Sequence, residues 1–411
     1  MAKTVEFRSR RLEGFGVSES RYQLAAQCAK FPITPADEPN NQLICRTVGT
    51  YQLLTVRVTV NTYTTATLTI RVRKNSANGN QVVSVAAATT GSFQDTTNSD
   101  TVGDGDTIGF HWAVAGGGSG TCTVNVGYAI FETSDPAKTT MRWATDNSNL
   151  TTATSRYVPV SAQGQWANTT EANAQSEARI TGTAYRVYVR LSSNTRNGDS
   201  TFAFRLNGAD SALTVSVPAS TSGTFENTTD TVAIAIGDLI NWRAAAGGTS
   251  GTLAIQHVVL EYETVTGACQ IQTARAETIN ANVTTYLPAG GILIQDTESI
   301  YAFPMGVPGE ISDLQITVSA NTVSAASTLR NRKNGANGAV AVSIPASTTG
   351  RFLNTTDSDA YAAADEITLQ LVTGATGTSL TAQTTAFQLR TEPPRQPPFA
   401  FSQAVPRAAN W

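Results

Sequence analysis

The sequence predicts an all-β protein with three tandem β-sandwich, jelly-roll-like domains and extended N- and C-terminal arms. A threonine-rich phrase occurs three times, as SVAAATTGSFQDTTNSDT, SVPASTSGTFENTTDTVA and SIPASTTGRFLNTTDSDA. The glycines that align these copies are Gly91, Gly223 and Gly350, at intervals of 132 and 127 residues. Alternating apolar residues precede each copy, and no window of useful length shows the apolar spacing of a helix.

Intervals of this size indicate domains. Solenoid repeats are roughly 20 to 50 residues long and cannot bury a core alone, whereas units of about 130 residues can. A tyrosine signature opens each unit, at Tyr22, Tyr157 and Tyr286. The sequence therefore predicts an N-terminal arm at 1–20, sandwiches at 21–135, 155–265 and 284–392, linkers at 136–154 and 266–283, and a proline-rich C-terminal tail at 393–411.

The first strands of each unit are predicted from alternation and turn chemistry. In the first unit, Leu54, Val56 and Val58 alternate with polar residues, which is the period of a half-buried strand. The next strand runs into RKNSANG, RLNGAD or RKNGANG, whose Asn and Gly tolerate the positive φ of a tight hairpin. The third strand ends at Pro218 or Pro345 in two units, and the missing N–H donor predicts a sheet edge or a bulge.

The second half of each unit contains an aspartate before an apolar strand. These residues, Asp106, Asp238 and Asp365, are expected to accept backbone amides within a turn. A glycine-rich turn and a closing strand follow. About eight short strands per unit favour a sandwich, with the jelly roll as the preferred topology.

The bulk composition excludes some classes of partner. Charged residues form 14% of the 411 residues, against roughly 25% in an average soluble protein. The 28 basic and 31 acidic residues give no positive field for nucleic acid, so we expect no binding to it. No stretch approaches the roughly 20 apolar residues of a membrane span, and the N-terminus lacks the apolar region of a secretory signal. We expect the chain to join its partners from the cytoplasm.

The sequence offers no catalytic constellation. His111 and His257 lie on predicted strands of different units, where a structural histidine is the ordinary interpretation. No nucleophile elbow, zinc-protease motif or phosphate loop occurs. The only acids retained in all three copies are Asp106, Asp238 and Asp365, one per unit, which does not provide the paired carboxylates of a glycosidase. We therefore predict that the protein is not an enzyme and has no cofactor.

One acidic cluster suggests a metal site. Asp95, Asp100, Asp104 and Asp106 gather in the first unit, and Ca²⁺ takes six to eight oxygen ligands. The spacing matches no EF-hand, and the other two copies have alanine in place of Asp104. We therefore prefer ordinary loop and turn aspartates and predict no metal.

The four cysteines form no C-x-x-C pair, which argues against a redox motif and a zinc site. They are Cys28, Cys45, Cys122 and Cys269. We interpret them as free thiols, most of them buried, in a protein made in a reducing compartment. A disulfide between Cys28 and Cys45 remains the alternative.

The C-terminal tail, PPRQPPFAFSQAVPRAANW, is predicted to dock on a partner. Its prolines stiffen it into a polyproline-like spacer, and Phe399, Phe401 and Trp411 would be costly to leave in water. The alternatives are that the tail folds back on the third sandwich, or that 394–397 is a ligand for an SH3-type domain.

The order of motifs resembles the jelly-roll modules of tailed-bacteriophage structural proteins, including head decoration proteins and fibres. The resemblance covers the three blocks, with departures at Ala86, where the other copies have proline, and at Ala364, where they have glycine. It implies a virion structural protein. The leading hypothesis is a capsid decoration or cement protein that braces neighbouring capsid subunits.

The partners expected from this hypothesis are the major capsid protein or other virion proteins. The chain would form a homo-oligomer or be present in many copies per particle, although three units in one chain could mimic a trimer internally. The alternative function is a receptor-binding fibre or adhesin that binds host carbohydrate through sandwich loops. Trp112 and Trp242 are candidates for stacking on sugars, but their strand positions favour core packing.

Overall fold

The computed structural model confirms the all-β prediction. It describes residues 4–9, 13–24, 38–135, 137–144, 149–151, 155–163, 169–264, 268–287 and 296–391. Within these ranges the helices are three single turns of 3-10 helix, η1 (Glu38–Asn41), η2 (Glu171–Asn173) and η3 (Glu298–Ile300). No helix in this part of the chain has the length and apolar character needed to cross a membrane.

The first sandwich contains eleven strands. They are β1 (Thr4–Ser9), β2 (Glu13–Gly16), β3 (Ser20–Leu24), β4 (Leu43–Ile44), β5 (Gly49–Asn61), β6 (Thr67–Lys74), β7 (Ala77–Val85), β8 (Gly91–Gln94), β9 (Ser99–Val102), β10 (Thr107–Ala115) and β11 (Thr121–Thr133).

The second sandwich follows directly. Its strands are β12 (Lys138–Ala144), β13 (Asn149–Leu150), β14 (Ser155–Val158), β15 (Ala162–Gln163), β16 (Ser176–Glu177), β17 (Gly182–Asn194), β18 (Ser200–Leu206), β19 (Ala209–Val217), β20 (Gly223–Asn227), β21 (Val232–Ile234), β22 (Leu239–Ala245) and β23 (Leu253–Thr264).

The third sandwich completes the described chain. Its strands are β24 (Ala268–Asn280), β25 (Thr284–Leu287), β26 (Phe303–Pro304), β27 (Gly309–Val323), β28 (Ser327–Lys333), β29 (Ala336–Ile344), β30 (Gly350–Tyr361), β31 (Glu366–Val372) and β32 (Gly377–Thr391).

All three sandwiches share one strand order. In the first, one sheet runs β1-β11-β5-β8 and the other β3-β10-β6-β7, with β9 continuing the β8 position beside β5. The second repeats this as β12-β23-β17-β20 and β14-β22-β18-β19, and the third as β24-β32-β27-β30 and β25-β31-β28-β29. With eight main strands numbered along each unit, the orders are 1-8-3-6 and 2-7-4-5. This arrangement is a jelly roll.

The segments predicted as arm and linkers contain the first strand of each jelly roll. β1 lies within 1–20, and the whole of β12 and of β24 lies within the two predicted linkers. Each of the three pairs antiparallel with the last strand of its sandwich. Their polar sequences suggested extended connectors, because an edge strand makes its backbone bonds without needing strong apolar alternation.

The strand that precedes the proline, fifth of the eight main strands, lies at a sheet edge, as predicted. β19 and β29 are outermost in their sheets and stop at the residue before Pro218 and Pro345. The missing proline donor therefore breaks no ladder bond. Each sandwich also has an apolar core between its two sheets, and the cores include fully buried Trp112 in the first and Trp242 in the second.

The repeated phrase forms an Asx turn in each sandwich. The side-chain Oδ1 of Asp95 accepts the backbone N–H groups of Thr97 and Asn98 at 3.1 and 3.0 Å. Asn227 and Asn354 occupy the same position and accept the backbone N–H groups two and three residues further along the chain. Both bonds to Asn227 are 3.2 Å long, and both bonds to Asn354 are 3.1 Å long. A polar side chain thus closes the turn that the repeated sequence encodes.

The aspartate that precedes the seventh strand also serves a turn, as predicted. Asp106 Oδ2 accepts the N–H of Gly103 at 2.7 Å, and its Oδ1 accepts the side-chain amide of Asn75 at 2.6 Å. Asp238 and Asp365 make the same pair of bonds, at 2.7 to 2.8 Å. The asparagine comes from the hairpin turn, so each aspartate joins two loops.

A bidentate arginine–glutamate clamp, which we did not predict, recurs in all three units. Arg332 of β28 holds both carboxylate oxygens of Glu298 at 2.9 and 2.8 Å. Charge-assisted pairs of this geometry are among the stronger protein hydrogen bonds. The equivalent pairs are Arg73 with Glu38 and Arg205 with Glu171.

Candidate interaction surfaces

The two histidines lie in separate sandwiches and form no common site. His111 is on β10, where its Nε2 lies 2.8 Å from Ser20 Oγ and its ring stacks on Tyr22. His257 is on β23, fully buried, and neither ring nitrogen has a hydrogen-bond partner among the described residues. Burial, with positive charge from Arg190 and Arg142, lowers the pKa of His257 to about 3.

Three of the four clustered aspartates, Asp95, Asp100 and Asp106, accept backbone amides, whereas Asp104 forms an ion pair with Arg46 at 3.1 Å. Asp95 accepts the N–H of Val82 at 2.9 Å, and Asp100 accepts the N–H groups of Asn80 and Gln81 at 2.6 and 3.1 Å. Within the described ranges, no group of three or more His, Cys, Asp or Glu side chains is placed to hold a metal ion. The structure therefore shows these carboxylates in hydrogen bonds and ion pairs with the protein itself.

Two of the four cysteines are described as free thiols, and both are buried. Cys45 lies 3.9 Å from the Tyr51 hydroxyl, and burial raises its pKa to about 11. Burial raises the pKa of Cys122 to about 12. The structure does not describe the side chains of Cys28 and Cys269 or the predicted docking residues Phe399, Phe401 and Trp411.

The clearest site that the structure assembles is a set of contacts between sandwiches. At the junction of the first and second, the Tyr188 hydroxyl donates to the backbone carbonyl of Ile44, and Thr47 donates to Glu261 at 2.9 Å. Arg46 forms an ion pair with Glu226 across the same junction. Tyr188 is 1% exposed, so its body is part of the first sandwich's apolar core.

The second and third sandwiches meet through a reciprocal amide contact. The Glu177 N–H donates to Gln315 Oε1 at 3.1 Å, and Gln315 Nε2 donates back to the Glu177 carbonyl at 2.9 Å. Arg179 pairs with Asp313 at 2.8 Å, and Gln388 Nε2 donates to the Arg179 carbonyl at 3.0 Å. Gln315 is 2% exposed, so water is excluded from this contact.

The third sandwich closes on the first. The Tyr128 hydroxyl donates to the Pro304 carbonyl at 2.5 Å, and the Asn125 side-chain amide donates to the Ile300 carbonyl at 3.3 Å. Tyr128 and Ile130 are fully buried, and both belong to the apolar cluster of the third sandwich. An ion pair between Arg57 and Glu366 completes the junction.

These three junctions share one acceptor position. The accepting carbonyls belong to Ile44, Glu177 and Pro304, each of which pairs with the first residue of the seventh strand in its own sandwich. In each case the donor comes from the sheet of the next sandwich around. A head-to-tail contact that returns to its starting unit after three steps is a closed ring with pseudo-three-fold symmetry. The three units of one chain thus form a ring that resembles a trimer.

The chemistry differs between the junctions although the acceptor position is shared. One position of the last strand is Ile130 in the first sandwich, Glu261 in the second and Gln388 in the third, and all three face a neighbouring sandwich. Ile130 makes an apolar contact with the third sandwich, Glu261 accepts a charge-assisted hydrogen bond from Thr47 of the first, and the Gln388 amide donates to a carbonyl of the second. This difference favours a single cyclic order of the units.

A charged cleft of about 250 Å³ lies at the first junction. Its lining includes Arg46, Asp104, Arg186 and Glu261. Burial raises the pKa of Glu261, while the bond from Thr47 and the charge of Arg186 act in the opposite direction. The cleft's charged groups already pair with one another: Arg46 with Asp104 and Arg186 with Glu261 within their own sandwiches, and Arg186 with Asp104 across the junction. The cleft is therefore part of the contact between the two sandwiches.

The comparisons with known proteins identify no family for this chain. No family model matches the chain, and no curated protein matches it. Among solved structures, a structure of the infectious bursal disease virus Gx strain has 9% identity over 95% of this chain and 82% of its own, with a TM-score of 0.20. A crystal structure of the T13 particle of the same virus has 9% identity over 96% and 79%, with a TM-score of 0.18. Likenesses this weak carry no argument.

Proposed function

We propose that this protein is a virion structural protein, a capsid decoration or cement protein that braces neighbouring capsid subunits and performs no reaction. The observation that carries the proposal is the closed ring of three jelly rolls. Part-buried hydrogen bonds and ion pairs join every neighbouring pair, so the ring presents three outward surfaces in a fixed relation. A brace needs such a fixed relation between its contacts.

The composition supports this function. The chain is only 14% charged, and its outer strands and loops are rich in Thr, Ser, Asn and Gly. Surfaces of this kind form many cross-strand side-chain pairs and need no bound group for their stability. The resemblance of the repeated motifs to jelly-roll modules of phage decoration proteins and fibres agrees with the proposal.

The partners in this proposal are the major capsid protein or other virion proteins, with many copies of the chain on each particle. The aromatic side chains of the tail, Phe399, Phe401 and Trp411, are the proposed anchors. Apolar side chains of this size gain about 2 to 3 kcal/mol each on full burial. A tail bound in a groove on another subunit would therefore add substantially to the contacts of the ring.

Deletion of 393–411 tests the proposal. We expect the shortened chain to keep its circular dichroism spectrum and melting temperature but to lose binding to particles that lack the protein. Co-sedimentation of purified chain with such particles measures occupancy. Unchanged occupancy would show that the tail does not anchor the chain on the particle. Failure of the full-length chain to bind would contradict the proposed decoration function.

The fibre or adhesin alternative predicts carbohydrate binding. Trp112 and Trp242 are at most 1% exposed, so neither can stack on a sugar ring in this structure. A glycan array with the full chain separates the two functions, because a specific glycan ligand favours the alternative and the absence of any ligand favours the brace.

A further inference from the structure

The loop between the fifth and sixth main strands forms the same exposed tip in every sandwich. The tips are 86–91, 218–223 and 345–350, and they contain no charged residue. A left-handed residue with a φ of 53 to 56° stands at the centre of each tip, at Ala88, Ser220 and Ser347. This conformation is uncommon for residues other than glycine.

Each tip is fixed by the same internal bond. Thr89 Oγ1 donates to the carbonyl of Ala86 at 2.6 Å. The equivalent bonds are Thr221 to Pro218 at 2.6 Å and Thr348 to Pro345 at 2.7 Å. The three tips therefore have one shape, although the second and third contain proline and the first does not.

The next residue keeps a hydroxyl that the fold does not use. Thr90, Ser222 and Thr349 are exposed, and no hydrogen bond joins their hydroxyls to the described part of the chain. Turn geometry explains the threonine before them and the glycine after them, but it does not require a hydroxyl here. A free hydroxyl on a rigid, uncharged tip is suited to a polar protein surface with its own hydrogen-bonding groups.

The ring sets the relation between the tips. Because the three sandwiches are related by a pseudo-three-fold axis, equivalent tips lie at equal distances from that axis. A partner that matches all three tips must repeat one surface three times about the same axis.

We propose that a single chain, acting as a monomer, docks where three copies of one partner subunit meet, with one tip on each copy. This inference rests on the proposed function and specifies its partner: an uncharged, hydrogen-bonding protein surface arranged with three-fold symmetry. Three linked contacts bind more tightly than one because the second and third are intramolecular.

Two measurements on the unmodified chain test the symmetry. Light scattering should give the 43.2 kDa mass of one chain, since the ring is already closed. Saturation of particles that lack the protein, followed by quantitative gel analysis, should give one chain for every three copies of the partner subunit. A stable homotrimer in solution, or one bound chain for every partner subunit, would overturn the proposal.

Substitutions test the tips themselves. Thr90→Glu, Ser222→Glu and Thr349→Glu each place a charge on one tip, and we expect each to weaken particle binding by roughly 100-fold, with similar losses for the three. The matched controls are Thr96→Glu, Thr228→Glu and Thr355→Glu, which change equally exposed threonines in the Asx turns. We expect the controls to bind like the unmodified chain.

The outcomes distinguish this inference from the proposed function. If the unmodified chain does not bind particles, the proposed function fails. If it binds but the tip variants bind as well as their controls, or if one tip carries the whole effect, three-fold docking fails and the decoration function stands. Glycan binding that is lost on tip substitution would assign the tips to carbohydrate and would also overturn the inference.

Discussion

Replacement of Gln315 by leucine should open the junction between the second and third sandwiches. Leucine keeps much of the volume of the glutamine side chain but takes away both bonds to Glu177, at 3.1 and 2.9 Å. Loss of a buried partner costs about 1 to 3 kcal/mol for each group left behind. The free energy that holds this junction closed should therefore fall by about 2 to 4 kcal/mol, allowing for partial access of water.

Hydrogen exchange of 176–180 measures this change directly, because the Glu177 amide donates to Gln315. With a factor of ten for each 1.36 kcal/mol, exchange should become roughly 30- to 1,000-fold faster. The matched control is Gln81→Leu, since Gln81 is equally buried but its amide oxygen accepts the N–H of Leu54 within the first sandwich. This control should leave 176–180 protected.

Two results would refute the reasoning. Unchanged protection of 176–180 in the Gln315 variant would show that the reciprocal amide contact does not hold the junction. Equal loss of protection in both variants would show that a general destabilisation, and not the junction, controls exchange there.

Three further predictions concern stability. The pKa of His257 in the folded chain is about 3, below its ordinary value of 6.5, so the unfolded chain binds more protons between these two values. The free energy of unfolding should therefore fall by up to about 1.4 kcal/mol per pH unit as the pH drops below 6.5. In urea unfolding, His257→Leu should flatten this part of the curve of stability against pH, and a variant curve that keeps its slope would contradict the prediction. Burial opposes ionisation of Asp95, but hydrogen bonds from Val82, Asn98 and Thr97 lower its pKa to about 2. The stability that the ionised carboxylate contributes should therefore be lost as the pH falls from about 4 to 2. Asp95→Asn should reduce this loss of stability without changing the slope of stability against pH near pH 6. Alanine substitution of Arg332 and Glu298, singly and together, should give a coupling energy of about 1 to 2 kcal/mol in a double-mutant cycle, and additive effects would show that the clamp contributes nothing as a pair.

The sequence was sufficient to predict the elements that local chemistry controls. Period-two alternation identified the strands around Val56, and the missing donor of Pro218 identified a sheet edge. The turn role of Asp106 followed from the short reach of its carboxylate to nearby amides. These features depend on residues close in sequence, so the chain itself contains the information.

The ring could not be predicted in the same way. The Ile44 and Glu177 carbonyls belong to two-residue strands with no pattern to mark them, and a backbone acceptor has no sequence signature. The residues that contact neighbouring sandwiches, such as Ile130 and Gln388, differ between repeats, so comparison of the copies hides their common position. The sequence predicts linkers where β12 and β24 lie for a related reason, because edge strands can be polar.

Because chain segments join all three sandwiches, the ring has a property that separate subunits lack. An assembly of three free chains dissociates on dilution, because its equilibrium depends on concentration. Here a junction that opens, such as that of Tyr128 with Pro304, still has its two halves tethered through the other junctions, and it recloses at a rate independent of how dilute the protein is. Low expression or long storage in dilute solution therefore does not separate its parts.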